Sequence, residues 1–357
     1  MLLKIIYSFN KTNFEADYWQ KEIVQASNEQ YQFIPFNHNK YIDPGLYVRA
    51  QLLDNLYYQN QPGLLKMYEE LNQLIKESDA DALIVDNCFP YHPEFLKTLQ
   101  IYKVLRTSDG PLTAYDRDFA YLHAYDHILY HSPAYSKDMG MEEKLHYCGA
   151  QKVDFWPHAS FDALCDPAKT EHDILSSHRD IDVLFIGAMH LNKMPLLAKV
   201  KKALGRRLKV YGLTSIKKNV YFNLKYGFPG WVKTLPFEQY VPLYQRTKIG
   251  INIHNRGDFT VGSYRLFDLP ANGVMQISDG GIYLEKFFSV GSEVISYRDT
   301  DELIDRVNYY LTHDDEREQI AINGFRRVKK EYKIIDVLRK AGNIISDGIA
   351  NKINDNE

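Results

Sequence analysis

Three cysteines in 357 residues, Cys88, Cys148 and Cys165, show no C-x-x-C spacing and make no even set. That scarcity argues against a disulfide framework or a structural zinc site, and for a reducing compartment in which the three are small buried hydrophobes. Long apolar runs are also missing. No window approaches the ~18 continuous apolar residues of a membrane span, and the opening MLLKIIYSFN is interrupted too soon to be a signal peptide. A cytoplasmic protein is expected. The net charge of −3 provides no polycation footprint, so duplex nucleic acid is not expected as the main partner. The loop after the first apolar run lacks G-x-G-x-x-G, which removes the dinucleotide fingerprint there.

What the chain does have is length and a regular alternation of patterns. At 357 residues it exceeds one domain, and two of ~150 to 180 residues each are expected. Short apolar runs alternate with helical patterns, the grammar of α/β layers. In the first half the runs are Leu2 to Tyr7, Gln32 to Pro35, Ala82 to Asp86, Tyr102 to Leu105, Asp126 to His131 and Lys152 to Trp156. The segment PHASFDALCDPAKTEHDILSSHRD is polar and irregular, and reads as an exposed linker over residues 158–180. The grammar then restarts with Asp182 to Gly187, Leu208 to Gly212, Ile249 to Ile253, Val274 to Ile277 and Glu293 to Tyr297. Tyr221 to Trp231 reads as a glycine- and aromatic-rich loop, and three helices close the chain, the first with Asp299 as amino-terminal cap. The expected domains are 1–157 and 181–345, the last helix being able to pack back on the first domain, with a frayed tail over 346–357.

Candidate chemistry is sought at strand ends, because open parallel sheets bind ligands outside the carboxyl ends of their strands. The stretch from Lys248 to Glu285 holds two strands, a short helix between them and a Gly-Gly turn. A nucleoside diphosphate placed there needs backbone N–H donors and positive charge for its phosphates. Gly262 and Ser263 stand where the helix begins, and Arg265 in its first turn offers a fork of donors. Asp268, one turn later, can accept from ribose hydroxyls, and the loop Asp279 to Ile282, with Gly280 and Gly281, can add donors on the far side. His254 and Arg256 follow the first of the two strands. Each residue alone has an ordinary reading: Ser263 as a cap, Arg265 in a surface ion pair, the glycines as a turn. Their joint spacing favours the ligand. In the first half, Asp109 on the tight turn RTSDGP is the first candidate for a catalytic base, with Asp86 and His92 as alternates; Asp109 and Asp86 could equally cap turns.

The pattern YRLFDLPANGVMQISDGGIYLEKFF, followed by VGSEVISYRDTDELIDRVNYYLTHDDEREQIAINGFRRV, resembles the carboxyl-terminal signature of GT-B glycosyltransferases, and is similar to their CgeB-like, group 1-like branch. The likeness covers about Gly250 to Val328, and extends more weakly to DVLFIG with Lys193 and to PHASFDALCDP. It implies an α/β fold of two Rossmann-like doubly wound domains facing across a cleft, the first for the acceptor and the second for the donor. It also implies transfer of a sugar from a UDP or GDP sugar to a hydroxyl acceptor such as a glycan, a lipid-linked glycan or a small molecule. Peripheral membrane association is compatible with that. By position, the resemblance places Asp268 as the ribose acid, Arg265 near the phosphates, Gly280 and Gly281 at the phosphate turn, Glu285 at the terminal acid, and Gly187 with Lys193 at the opening of the donor domain. Thr260 departs from the pattern, standing where related retaining enzymes carry Glu, so inversion and retention both stay open. No metal or other cofactor is implied, since basic side chains and a helix end can stabilise the leaving diphosphate. Asp79-Ala-Asp81 and Asp116-Arg-Asp118 resemble the D-x-D of a metal-dependent fold but lie outside a strand-end context. The alternative is an inactive relative that binds a sugar or nucleotide without chemistry.

Overall fold

Runs of isoleucine, valine and leucine that are apolar on both faces suit strands covered by helices on both sides. Each of the runs above forms a strand in the computed structural model, which describes residues 2–86, 90–107, 118–136, 138–254 and 263–354. The chain divides into two compact units, Met1–His158 with Ile334–Glu357, and Ala159–Lys333.

The first unit holds a six-stranded sheet in the order β2-β1-β3-β4-β5-β6, built from β1 (Leu3–Phe9), β2 (Tyr31–Asn37), β3 (Ala82–Asp86), β4 (Tyr102–Thr107), β5 (His127–Tyr130) and β6 (Val153–Phe155). The second holds a five-stranded sheet in the order β11-β10-β9-β7-β8, from β7 (Ile181–Ile186), β8 (Leu208–Tyr211), β9 (Thr247–Asn252), β10 (Met275–Asp279) and β11 (Ile295–Tyr297). Every pairing between these strands is parallel. In both sheets the first strand lies between the second and the third, so the winding reverses between β1 and β3 and between β7 and β9. Ligands of doubly wound sheets bind at such reversals.

Alternation along β7 shows how one strand serves two cores. Val183 and Phe185 pack with Ile249, Ile251 and Ile277 on one face, while Leu184 and Ile186 pack with Tyr244 and Leu269 on the other.

Three sequence expectations need correction. Tyr221 to Trp231 is not a loop throughout: Ser215 caps a helix over Ile216–Tyr226, and Gly227 ends it in the left-handed conformation that glycine adopts without strain. The supposed linker is part of the second unit. Ala159 and Phe161 are buried, the Ser160 N–H donates to the Tyr332 carbonyl at 2.8 Å, and Thr170 with Asp173 forms a capping box for the helix Glu171–Ser176. The end of the chain is not frayed from 346, because one helix runs Ile334–Asn354 against the first unit. Tyr31 Oη donates to Asn343 Oδ1 at 2.5 Å, Lys352 pairs with Asp126 at 2.8 Å, and Gly342 and Gly348 leave no room for a Cβ beside the Tyr31 and Tyr102 rings. Among the described residues no helix is long and apolar enough to cross a membrane. Cys148 and Cys165 are half-buried and form no disulfide, and Cys88 lies outside the described residues.

Candidate functional site

In the second unit the carboxyl ends of β7, β9 and β10 are neighbours, and they deliver Gly187, His254 and Asp279 to one rim at the winding reversal. Asp279 organises β9's end. Its carboxylate accepts the His254 backbone N–H at 2.8 Å and lies 2.6 Å from the His254 ring Nδ1. An ionised carboxylate only accepts, so Nδ1 carries a proton and the other ring nitrogen, Nε2, is left to face something else. Among the described residues Nε2 is buried without a hydrogen-bond partner, as are Asn252 Nδ2, at the last residue of β9, and Arg265 Nε. A buried polar group left unsatisfied costs ~1–3 kcal/mol, so these three atoms around one rim are ones that a polar ligand there could engage.

Two cations face this rim. Lys193 is 3% exposed, and neither it nor Arg265 makes an ion pair or side-chain hydrogen bond among the described residues. Arg265 packs against Gly187, where a Cβ would sit 3.3 Å from the guanidinium carbon. Burial first, and then the Arg265 charge, bring the Lys193 ammonium down from 10.5 to about 7, with Asp279 opposing. Desolvated like charges side by side call for an anion.

The structure places the other expected residues around this pair to different degrees. The Ser263 hydroxyl reaches Asn252 Oδ1 at 3.4 Å instead of capping the helix Arg265–Ala271. Asp268, 4% exposed, accepts the Ser160 hydroxyl at 3.1 Å, and with burial its charge pushes the Tyr244 hydroxyl pKa up while Arg265 opposes. Gly280 donates its N–H to the Tyr297 carbonyl at 3.4 Å, and Gly281 takes φ 134°, which a Cβ would strain, to start the helix Ile282–Phe287. Glu285 is exposed on that helix. Gly262, Arg256 and Thr260 lie outside the described residues. The reading of the sequence passed over the Asp279 carboxylate, although an acid ending a parallel strand was the signal used for Asp86. Ser160, 108 residues from Asp268, gave no signal.

In the first unit, Asp109 and Asp116 fall outside the described residues. The neighbouring strand ends are nevertheless densely built. Asp86, closing β3, pairs with Arg106 Nη1 at 3.0 Å and accepts the Tyr7 hydroxyl at 3.1 Å. Arg106, 1% exposed, lies 4.3 Å over the Trp156 ring and donates from Nη2 to His158 Nδ1 at 3.1 Å. Because arginine only donates, His158 carries its proton on Nε2. His131 donates from Nδ1 to the Thr107 carbonyl at 2.6 Å, and burial with the Arg106 charge depresses it to about 3, so it stays neutral. Asp86 thus holds β4 in place, and its bonds to Arg106 and Tyr7 suit it poorly to act as a free base. His92 is similarly engaged: Nδ1 accepts the Glu94 N–H as a helix cap, Nε2 lies 3.2 Å from Asp54, and the ring stacks on Tyr57 at 4.0 Å. Asp79 and Asp81 lie at the opposite end of β3, where Asp81 accepts the Lys4 N–H at 2.8 Å.

The comparisons agree with this architecture. Residues 193–341 match the family described as Glycosyl transferase-like. No curated protein matches the chain in sequence. Among solved structures, sucrose-phosphate synthase from Thermosynechococcus elongatus superposes with a TM-score of 0.66 at 11% identity, over 98% of this chain and 100% of that one. HepE from Anabaena, in complex with UDP and glucose, gives 0.61 at 10% identity over 97% and 100%. A glycosyltransferase from Rickettsia africae gives 0.61 at 10% identity over 98% and 99%. Identities this low carry the fold alone, and with two parallel-sheet Rossmann-like units matched over their whole length, the chain has the GT-B fold.

Proposed function

We propose that the protein transfers a sugar from a nucleoside-diphosphate sugar to a hydroxyl acceptor. The observation that carries this reading is the pair Lys193 and Arg265 at the winding reversal of the second sheet, neither of which makes an ion pair among the described residues. A family match that begins at Lys193, and a neighbour of the same fold in complex with UDP and glucose, support the donor class. In this reading Lys193 and Arg265 bind the diphosphate and stabilise it as it leaves, in place of a metal ion. Gly187, Gly262, Ser263, Gly280 and Gly281 let phosphates approach the backbone, His254 Nε2 meets a phosphate or sugar oxygen, Asp268 takes ribose hydroxyls, and Glu285 borders the sugar. Asp109 serves as the base that accepts the acceptor hydroxyl proton.

The test is direct. The purified chain is offered a panel of UDP and GDP sugars, and binding is measured by calorimetry and turnover by release of free nucleotide. Binding of either diphosphate, with release from one donor, is expected. Binding with no release across the panel and with added acceptors would leave a nucleotide-binding protein of GT-B fold, and absence of binding would remove the site. Asp109→Asn is expected to abolish release while preserving affinity.

Lys193 makes a prediction of its own. Burial and the Arg265 charge bring its ammonium down to about 7, so at pH 8 it is mostly neutral, and an arriving diphosphate restores the charge. Binding at pH 8 should therefore take up close to one proton, read as different calorimetric enthalpies in two buffers of unlike ionisation enthalpy. Lys193→Met should erase the difference. Between about 7 and 10.5 the unfolded chain holds a proton that the folded one has lost, so ligand-free stability rises with pH across that window while diphosphate affinity falls.

A further inference from the structure

The helix Ile216–Tyr226 turns an apolar stripe outward. Ile216, Val220 and Leu224 recur at every fourth residue and so share one face. They are 76%, 44% and 83% exposed, while Asn219 and Phe222 are buried beneath the helix. Leu213 before the helix is 72% exposed and Trp231 after it 56%. Trp231 is held beside the helix, because the Asn219 side chain exchanges two hydrogen bonds with the Val232 backbone, at 2.9 and 3.1 Å, and Asn223 donates to the Gly230 carbonyl at 3.1 Å. The surface is therefore built, with its large apolar groups fixed in the open.

Charge identifies what it meets. In a chain of net charge −3, every charged residue between Asp182 and Glu238 is a lysine or an arginine. Lys217, Lys218 and Lys225 on the helix and Lys233 after it are exposed. Lys225 lies along the surface, its ammonium 2.6 Å from the Tyr221 hydroxyl. A second copy of the same face would set lysine against lysine, which repels. Protein interfaces are depleted in lysine, whereas aliphatic side chains and tryptophan bordered by lysines are what an anionic lipid interface selects: the apolar groups enter the acyl boundary and the ammonium groups stay at the headgroups. We propose that this face docks the second unit on an anionic lipid bilayer. The proposal stands independently of sugar transfer.

The experiment uses the full chain with vesicles of phosphatidylcholine alone or with phosphatidylglycerol added. Sedimentation with the phosphatidylglycerol vesicles, weakened by salt, is expected. Lys217→Gln with Lys218→Gln should reduce that binding about 30-fold, and Leu224→Ser about tenfold. Of the three tryptophans, Trp19 and Trp156 are each 1% exposed, so a blue shift and quenching by brominated lipid would report Trp231. All these substituted side chains are exposed, so the fold is retained. Failure to bind phosphatidylglycerol vesicles, equal binding to both vesicle types, binding unchanged by either variant, or a self-associating chain dispersed by Leu224→Ser would each overturn the proposal.

Discussion

Arg265→Met is expected to weaken UDP binding by about 100-fold or more, since a two-pronged charged contact to phosphate contributes ~3 kcal/mol. The ligand-free protein should be at least as stable as its parent. Arg265 has no ion-pair partner among the described residues, its Nε is buried without a hydrogen bond, and its charge adds to the penalty on Lys193. Removing it takes away repulsion and an unsatisfied donor, while methionine fills the space of the stem. Sites that bind by holding unsatisfied groups commonly trade stability for function in this way. The pH profile supplies a second readout. With Arg265 gone the Lys193 ammonium rises above about 7, so the variant's affinity should begin to fall at a higher pH than the parent's. Calorimetry at a series of pH values and a thermal melt measure all three effects. A variant that binds UDP normally, or that loses binding only because it melts earlier, would refute the assignment. Arg265→Lys keeps the charge without the fork and should recover only part of the affinity.

The fold was legible because parallel strands buried on both faces are written as local apolar runs, and each such run became a strand. What escaped is what local pattern does not carry. The helix Ile216–Tyr226 was hidden because its stripe of Ile216, Val220 and Leu224 faces outward and its inward face rests on Asn219 and Phe222, beside Gly227 and Gly230. The end of the chain read as frayed because its last residues are polar, whereas the close approach of Gly342 to Tyr31 and of Gly348 to Tyr102 joins residues far apart in sequence. The candidate site divides in the same way. His254 follows from strand-end position, Arg265 from the start of the next helix and Lys193 from the family resemblance, but the lack of a partner for Asn252 Nδ2 or His254 Nε2 among the described residues exists only once the chain is folded. Likewise Asp86 was readable as a strand-end acid, and the arginine that fixes its role stands 20 residues on.

That arginine carries the largest expected effect on stability. Asp86 and Arg106 are 8% and 1% exposed in their side chains, 3.0 Å apart. Breaking a buried pair strands one charge in a medium that cannot solvate it, so Asp86→Asn and Arg106→Met should each destabilise the first unit by ~3–5 kcal/mol. Replacing both at once, Asp86→Leu with Arg106→Met, should cost far less than the sum, because two apolar side chains leave no stranded charge. Trp19 and Trp156 belong to the first unit and Trp231 to the second, so denaturant unfolding followed by fluorescence in a Trp231→Phe background reports the first unit alone. The Arg106 guanidinium lies over the Trp156 ring, which makes that signal sensitive to the substitutions themselves. Single variants within ~1 kcal/mol of the parent would mean that water solvates the pair, and the reading of a buried network would fall. The network also holds β4, which ends two residues before Asp109. Asp86→Asn should therefore lower turnover while UDP affinity, proposed above for residues of the second unit, is unchanged. A parallel loss of both would show that the two units do not divide acceptor chemistry from donor binding.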